Sequence, residues 1–331
     1  MKIDFFGMPK PQGARGVKGE MRMKIVYAGA NALSVKPLRS IIAAGFDVVA
    51  VVAQPDRPVG RKAVVTACPL KEFAVSEGIP AYCFEKIRDH AAELRALNAD
   101  CMVTCSYGQL LTQEVLDSFP SGVLNVHTSL LPRWRGASPI QNAILHGDAE
   151  TGVTVMKTDV GLDTGAALLQ SRVKIEDNDT AETLAEKLFD VGAECIVQAL
   201  KELESGRAVF TEQRGEVTLC KKIKKQDCEL NFEWSACRLA RMVRAMLPDP
   251  VAFTYLHGKP CNVYVAEPCD TETEGALGEV VRADKTGVYV KTGEGVLRIL
   301  QIQAAGGKRL SAADLVNGRK IAVGDVFGER V

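Results

Sequence analysis

The sequence predicts an α/β fold class, with a first domain built on a mainly parallel sheet and a smaller β-barrel after it. From Lys24 onward, strand-like apolar runs alternate with helix-like segments, which is the pattern of a doubly wound sheet. Two of the predicted strands, DVVAVVAQP and ADCMVTCSYG, are almost continuously apolar, as expected where both faces are covered. From about Ala252 onward, short strands separated by glycine turns indicate the barrel.

Each element of the first domain follows from its apolar period and its stop signals. In chain order, the predicted elements are the strand KIVYAGA, a helix from about Leu33 to Ala44, the strand DVVAVVAQP, the helix CPLKEFAVSEG, the strand IPAYCF, the helix AAELRALNA, the strand ADCMVTCSYG, the segment QEVLDSF, the strand GVLNVHTSLL and the helix ASPIQNAILHG. Gly147 is expected to end the last of these helices.

A hairpin, a long helix and a basic connector are predicted next. The strands TGVTVMKTD and ALLQSRVKI are expected to pair around the loop VGLDTG. The following helix is amphipathic, with Thr180 as its N-cap and Gly206 as its stop. A polar, basic connector then precedes the helix WSACRLARMVRAML, so the domain boundary is expected between residues 207 and 226.

The composition indicates a globular protein without a membrane span. The chain has 331 residues, enough for two domains, and its 47% hydrophobic and 25% charged residues are typical of globular proteins. No apolar run approaches the roughly 20 residues that cross a bilayer. The formal net charge is zero, so a nucleic-acid partner would have to bind a local basic patch. Residues 1–20 are rich in Gly, Pro and Lys and are expected to form a disordered extension.

The ten cysteines are scattered, without a C-x-x-C pair or a Cys/His cluster of zinc spacing. They are therefore expected to be reduced thiols of a cytoplasmic protein that binds no metal. Cys101 and Cys105 lie in an apolar run and are expected to be small core residues.

Residues 124–136 combine a buried strand with polar chemistry in the run LNVHTSLLPRWRG. Side chains alternate faces along a strand, so Asn125 and His127 share one face while Leu124 and Val126 share the other. The run stops at Pro132, which places the polar pair near the end of a strand. In an open α/β sheet, ligands bind at the carboxyl ends of the strands.

A carboxylate on a second loop completes a set of groups suited to acyl transfer. Asp163 lies in VGLDTG between Gly161 and Gly165, whose permissive backbones suit a tight loop near a ligand. Asn125 can donate a hydrogen bond to an oxyanion, His127 can donate or relay a proton, and Asp163 can orient His127 or accept a proton. An amine acceptor is itself nucleophilic, so no Ser or Cys nucleophile is needed.

These motifs together carry a known signature. The chain from Asn125 to Gln170 closely resembles the signature region of the methionyl-tRNA formyltransferases, within the 10-formyltetrahydrofolate-dependent formyltransferase family. The similarity covers nearly all of residues 22–331. It includes QPDRPVGR after the second strand, SYGQLL before the signature, KKIKKQD in the connector and LQIQAAGGKRLSAADLVNGRKIAVGD near the end.

The resemblance implies a domain organisation and a reaction. It implies a Rossmann-like formyltransferase domain over residues 21–207, a basic linker over 208–226 and an OB-like tRNA-binding barrel over 227–331. The implied reaction transfers the formyl group of 10-formyltetrahydrofolate to the α-amino group of methionyl initiator tRNA. The family is generally monomeric.

The resemblance also implies site residues. By analogy with the family, Asn125, His127 and Asp163 are catalytic. The residues assigned with it to the folate co-substrate are Ser129, Leu130, Leu131, Pro132, Tyr107 and Gly108. The resemblance also implies tRNA contacts in the loop after the second strand, at Arg57, Arg61 and Lys62. Local charge and the resemblance together predict further contacts in the connector and on the helix that follows, at Lys221, Lys222, Lys224, Lys225 and Arg241.

Other functions share part of this pattern. A dehydrogenase is disfavoured because the first turn, YAGANALS, contains no G-x-G-x-x-G. An amino-sugar-nucleotide formyltransferase shares the signature but has a different C-terminal sequence, and a hydrolase that releases formate shares the catalytic trio. A non-catalytic folate- or tRNA-binding protein would leave the trio unexplained. Two departures from the family pattern are the first loop, AGANALSVKPL in place of AGTPxFAVPxL, and the N-terminal extension.

Overall fold

The computed structural model describes residues 22–59, 64–271 and 273–329. The extension predicted for residues 1–20 lies outside these ranges, and so do Arg61 and Lys62 of the predicted tRNA contacts. Within the described ranges, no helix is both long enough and apolar enough to span a bilayer.

Strands and helices alternate through the first part of the chain and give way to short strands in the last part. The strands are β1 (Lys24–Gly29), β2 (Asp47–Ala53), β3 (Arg57–Val59), β4 (Val64–Thr66), β5 (Ala81–Cys83), β6 (Cys101–Cys105), β7 (Val123–His127), β8 (Arg135–Gly136), β9 (Glu150–Lys157), β10 (Ala167–Lys174), β11 (Leu219–Cys220), β12 (Phe253–Leu256), β13 (Lys259–Cys269), β14 (Val280–Asp284), β15 (Gly287–Lys291), β16 (Val296–Ala304) and β17 (Arg309–Ser311). The α-helices are α1 (Val35–Ala43), α2 (Pro69–Ser76), α3 (Ala91–Ala96), α4 (Gln113–Leu116), α5 (Pro139–His146), α6 (Ala181–Glu204), α7 (Ala236–Ala245) and α8 (Ala312–Asn317), with 3-10 helices at Ile87–Asp89 and Lys225–Cys228.

The main sheet has seven strands in the order β10-β9-β7-β6-β1-β2-β5. The pairs β1 with β2, β1 with β6, β2 with β5 and β6 with β7 are parallel, whereas β7 with β9 is antiparallel. The predicted mainly parallel sheet of a Rossmann-like domain is therefore confirmed. Because β6 and β7 are parallel neighbours, their carboxyl ends at Cys105 and His127 lie at the same edge of the sheet.

An apolar core holds this sheet in place. Val26 of β1, Val52 of β2 and Met102 of β6 are fully buried in one cluster. Each buried side chain of this size contributes about 1.5 to 3 kcal/mol. Burial raises the pKa of Cys101 and of Cys105 to about 12, so these thiols stay protonated and act as small core residues, as predicted.

The helix ends follow the signals that the sequence contains. Gly147 ends α5 in the left-handed conformation, with φ of 71°. The predicted long helix is α6, and it begins one residue after Thr180. Ser235 caps α7, because its hydroxyl oxygen accepts a hydrogen bond from the backbone N–H of Arg238.

Internal contacts divide the described chain into two compact units. The first takes in the described residues as far as His127, together with Val153–Ser171 and Phe189–Gly215. The second takes in Thr128–Gly152, Arg172–Leu188 and the described residues from Glu216 onward. The domain limits at residues 207 and 226 remain a prediction, because this grouping does not test independent folding.

The antiparallel strands in the last part of the chain form the predicted small OB-like barrel. They follow the order β12-β13-β16-β15-β14, and β17 pairs with β16. The edges of this sheet are joined by the segment after α8: Phe327 bridges to Leu256 of β12, and Val326 bridges to Glu279 just before β14. Joining the edges in this way closes the sheet.

Two short strands after β2 are not predicted by the sequence pattern. Strand β3 pairs with β4 in the antiparallel sense, and Arg57 of β3 faces Thr66 of β4. Strands of three residues carry too short an apolar pattern to be recognised from sequence.

Candidate active site

Strand β7 presents the predicted polar pair at its carboxyl end. It ends at His127, which is 6% exposed, and Asn125 lies two residues earlier on the same face. In the sheet, Asn125 lies opposite Thr104 of β6 and Met156 of β9. Both polar side chains therefore project from a strand that is paired with a neighbouring strand on each side, β6 and β9.

The Asn125 side chain is oriented by a hydroxyl that sequence reasoning missed. Thr104 is buried in β6 and donates a hydrogen bond to Oδ1 of Asn125 over 2.9 Å. Because the amide oxygen accepts this bond, the amide nitrogen of Asn125 lies on the side away from Thr104 and presents its hydrogens there. A single threonine in an apolar strand carries no pattern that distinguishes it from a core residue.

Asp163 is the predicted third member of the site, and the structure brings it to His127. Its Oδ1 lies 3.7 Å from Nδ1 of His127, and the Asp163 and His127 side chains are only 15% and 7% exposed. This distance is longer than a direct hydrogen bond, but it places the carboxylate beside the imidazole at a largely buried site. Catalytic contacts are often this long before a substrate binds.

The loop of residues 158–165, called the catalytic loop after the predicted role of Asp163, is shaped by its own polar contacts. The Asp159 carboxylate accepts hydrogen bonds from the N–H of Gly161 at 3.0 Å and from the hydroxyl of Thr164 at 2.6 Å. Asp163 has a φ of 52°, a left-handed conformation that is uncommon for a residue with a side chain. Local contacts therefore hold Asp163 in an unusual conformation that directs its carboxylate to His127.

The catalytic loop needs Gly165 for a reason that differs from the one the sequence suggests. The sequence predicts backbone freedom at Gly161 and Gly165, but the left-handed residue is Asp163. Gly165 is required by space, because a Cβ at this position would overlap the backbone carbonyl oxygen of Lys157.

The chemical groups brought together are two hydrogen-bond donors and one proton acceptor. Asn125 offers an oriented amide, His127 an imidazole and Asp163 a carboxylate. Among the described residues, no group of three or more His, Cys, Asp or Glu side chains is placed to hold a metal ion. The arrangement suits stabilisation of a developing oxyanion together with removal of a proton.

The predicted folate-binding residues after β7 form a compact turn. Ser129 is fully buried, and its hydroxyl donates a hydrogen bond of 2.6 Å to the carbonyl oxygen of Arg133. Leu131 and Pro132 are also buried, whereas Leu130 is half-buried. Leu130 is therefore the side chain of this group that is most open to a ligand.

The two predicted folate-binding residues after β6 differ in character. Tyr107 is 4% exposed and packs in the apolar core of the sheet, and its carbonyl oxygen accepts a 2.7 Å hydrogen bond from Gln54 Nε2. Gly108 has a φ of 78°, and the space where a Cβ would lie contains no atom within 4 Å. The flat ring of a ligand could approach the backbone at Gly108. The side chain of Tyr107, in contrast, packs in the apolar core.

The segment after Pro132 is anchored by Asp148. Its carboxylate accepts two hydrogen bonds from the Arg133 guanidinium, at 2.8 and 2.6 Å, and one from the Trp134 indole at 2.7 Å. The hydrogen bond to Asp148 raises the pKa of Arg133 above its usual value. The guanidinium also lies 4.4 Å from the centre of the Trp134 ring. Sequence reasoning missed Asp148, whose partners lie 14 and 15 residues earlier.

Replacing Asp148 with alanine should lower stability and weaken binding of the donor at the predicted folate site. The change removes the acceptor of the Arg133 guanidinium, which is partly exposed, and of the buried Trp134 N–H, and we expect a loss of about 1 to 3 kcal/mol in the free energy of unfolding. We expect donor binding to weaken because the turn at Ser129 hydrogen-bonds to Arg133. Urea unfolding and donor titration measure the two effects. The matched control is Asp270→Ala in the loop after β13, and equal results for both variants would contradict the anchoring role.

The predicted tRNA contacts that lie within the described ranges are mostly exposed. Lys221, Lys222 and Lys224 follow β11 and are exposed. Arg57 is exposed at the start of β3, and its guanidinium lies 4.0 Å from the carboxylate of Glu85. These residues are accessible to a phosphate backbone.

Two of the predicted tRNA contacts have partners inside the chain. Lys225 donates hydrogen bonds to the carbonyl oxygens of Pro250 and Val251, at 2.7 and 2.8 Å. Arg241 is half-buried, and its guanidinium packs against Gly147 so closely that a Cβ there would overlap it. Both residues support the fold, and contact with RNA stays a prediction for each.

Known families cover most of the chain. Residues 23–200 match the formyl transferase family, and residues 222–320 match the formyl transferase C-terminal domain. A protein from Hydrogenovibrio crunogenus named methionyl-tRNA formyltransferase is 43% identical over 302 residues, which cover 90% of this chain and 97% of that protein. A protein of the same name from Chromobacterium violaceum is 44% identical over 312 residues, which cover 92% of this chain and all of that protein.

A solved structure shares the fold at lower identity. The N-formyltransferase from Helicobacter canadensis, in complex with folinic acid and dTDP-3-aminofucose, is 17% identical with a TM-score of 0.63. The alignment covers 87% of this chain and 100% of that one. The structural likeness shows a shared fold, and the family matches and the two close relatives show descent: the chain belongs to the formyl transferase family.

Proposed function

We propose that this enzyme transfers the formyl group of 10-formyltetrahydrofolate to the α-amino group of methionyl initiator tRNA, giving N-formylmethionyl-tRNA for translation initiation. The observation that carries the proposal is the convergence of Asn125, His127 and Asp163 at one edge of the sheet. Relatives named methionyl-tRNA formyltransferase, which align with at least 90% of the chain, support the same acceptor. We further propose that the enzyme is cytoplasmic, as its scattered cysteines indicate, and monomeric, as the family resemblance implies.

The acceptor needs no strong base because much of its α-amino group is already neutral at cytoplasmic pH. The pKa of a free α-amino group is about 7.7 to 8.0, and the neighbouring ester lowers this pKa. The neutral nitrogen attacks the formyl carbon and forms a tetrahedral intermediate with a negative oxygen and a positive nitrogen. The enzyme must therefore stabilise the oxygen and remove a proton from the nitrogen.

The three polar side chains divide these tasks. The Asn125 amide, held by Thr104, donates to the oxyanion without reorganising during the reaction. His127 donates to the same oxygen, and the carboxylate of Asp163 stabilises the imidazole and accepts the proton of the amine through a water molecule. As the bond between the formyl carbon and N10 of the folate breaks, N10 takes up a proton, so that the one proton removed from the amine through Asp163 and water balances the one gained by N10 and the enzyme is restored. No covalent enzyme intermediate is required.

The proposed function is tested by supplying the formyl donor with three acceptors in separate reactions. The acceptors are charged initiator tRNA, an amino-sugar nucleotide and water alone. We expect formyl-methionine to appear on the tRNA. Formylation of the sugar only, or release of formate at the same rate without an amine, would contradict the proposal. The sugar reaction is included because the solved N-formyltransferase of this fold was crystallised with an amino-sugar nucleotide.

Removing two exposed charges from the connector should weaken tRNA binding in a salt-dependent way. Each lysine that contacts a phosphate releases about one counterion, so Lys221→Ala with Lys222→Ala should reduce the slope of log affinity against log salt by about 2. Turnover at saturating tRNA should remain unchanged. Filter binding from low to high salt measures the slope, with Lys201→Ala on α6 as the matched exposed control. An unchanged slope in the double variant would contradict phosphate contact.

A further inference from the structure

The segment after α6, residues 208–215, is attached to the chain that follows the catalytic loop. Thr211 and Ala167 exchange two backbone hydrogen bonds of 2.8 Å, in an antiparallel bridge outside the named strands. The segment therefore runs beside the loop instead of serving only as a connector. Among residues 211–217, Gln213 is half-buried while Glu212 and Arg214 on either side of it are exposed.

The side chain of Gln213 contacts the catalytic loop twice. Its Nε2 donates one hydrogen bond of 2.8 Å to the carbonyl oxygen of Asp163 and another of 2.8 Å to the carbonyl oxygen of Gly165. An amide nitrogen carries two hydrogens, so both donors are used. One side chain thus holds the backbone on both sides of Thr164.

These contacts meet a specific need of the catalytic loop. Asp163 occupies a left-handed conformation, which is unfavourable for a residue with a side chain and persists only where the surroundings impose it. The Asp159 carboxylate contacts the loop at Gly161 and Thr164. Gln213 contacts it at the carbonyl oxygens of Asp163 and Gly165. Together, these contacts hold the chain before and after Asp163, the residue that must face His127.

We propose that Gln213 is a positioning residue for the formyl transfer reaction. It holds the backbone of Asp163 so that the carboxylate stays within reach of His127, at the observed 3.7 Å. This inference rests on the proposed function, in which Asp163 accepts a proton. A misplacement of about 1 Å at a reacting group can lower the rate about 10²-fold. The effect of losing Gln213 should therefore appear in turnover and not in substrate binding.

Gln213→Met tests the inference because methionine has a similar length and no hydrogen-bond donor. We expect kcat for formyl-methionyl-tRNA synthesis to fall about 10- to 100-fold, while KM for the donor and for the tRNA changes less than about twofold. Gln213→Glu, which also lacks the two donors, should give the same result. The matched control is Gln198→Met on α6, because Gln198 is exposed and its amide donates a hydrogen bond to Glu202 on the same helix.

The kinetics and the folded fraction of Gln213→Met decide whether Gln213 positions Asp163. A kcat within twofold of the unsubstituted enzyme would overturn this role, and so would a loss confined to KM. A loss of rate that disappears after normalising to the folded fraction, measured by circular dichroism at the assay temperature, would also overturn it by showing a purely structural role. Failure of the unsubstituted enzyme to formylate charged tRNA would instead contradict the proposed function.

Discussion

Replacing Asn125 or His127 with alanine should lower the turnover of formyl transfer by about 10² to 10³-fold, which is the usual effect of removing one oxyanion donor. The loss should be large because the Asn125 amide is already oriented by Thr104 and so stabilises the transition state without rearrangement. His127 is 6% exposed, so alanine would also leave a cavity beside Asp163. Steady-state rates with saturating donor and charged tRNA measure the effect.

Donor binding serves as the internal control for these two variants. Because the donor is predicted to lie mainly against other residues, its dissociation constant should change less than about fivefold, a factor worth about 1 kcal/mol. Asn317→Ala, at the exposed end of α8, is a matched substitution away from the site and should keep full activity. Near-normal turnover in both Asn125→Ala and His127→Ala would refute the assigned roles.

Gly165→Ala should disable the enzyme through backbone geometry alone. A Cβ at this position would overlap the carbonyl oxygen of Lys157, which is backbone and cannot swing aside. The catalytic loop must therefore shift, and Asp163 moves with it. We expect turnover to fall by at least about 10²-fold, with a loss of about 1 to 3 kcal/mol in the free energy of unfolding from overpacking.

The comparison for this glycine is Gly307→Ala, in the turn after β16. The nearest atom to a Cβ at Gly307 is the Ala304 carbonyl oxygen at 3.3 Å, so a small adjustment suffices. This control should keep nearly full turnover and stability. Turnover rates and thermal unfolding of both variants test whether the Cβ at residue 165 displaces Asp163. Full turnover of Gly165→Ala would contradict this prediction, because it would show that the loop can relax without moving Asp163.

The parts of the fold that the sequence predicts correctly depend on local patterns. The alternation in LNVHTS places Asn125 and His127 on one face, and the structure confirms that β7 ends at His127. Gly147 ends its helix because a left-handed cap is a local property of one residue. Features of this kind can be predicted because they depend only on a few residues that are neighbours in the sequence.

The supporting residues could not be predicted because their partners lie far away in the chain. Thr104 donates a hydrogen bond to Asn125, which is 21 residues away in the sequence. Gln213 donates one to the backbone of Asp163, which is 50 residues away. Neither threonine in an apolar strand nor glutamine in a polar connector has a pattern that marks it for this role. Their functions arise from the register of β6 with β7 and from the bridge that places residues 208–215 beside the catalytic loop.

The most direct measurement of the proposed chemistry is a crystal structure of the enzyme with a stable 10-formyl folate analogue. The formyl oxygen should lie within hydrogen-bonding distance, about 2.7 to 3.2 Å, of Asn125 Nδ2 and of an imidazole nitrogen of His127. The Asp163 carboxylate should face the side from which an amine would attack. A formyl group bound away from Asn125 and His127, with its oxygen in contact with other donors, would contradict the proposed mechanism.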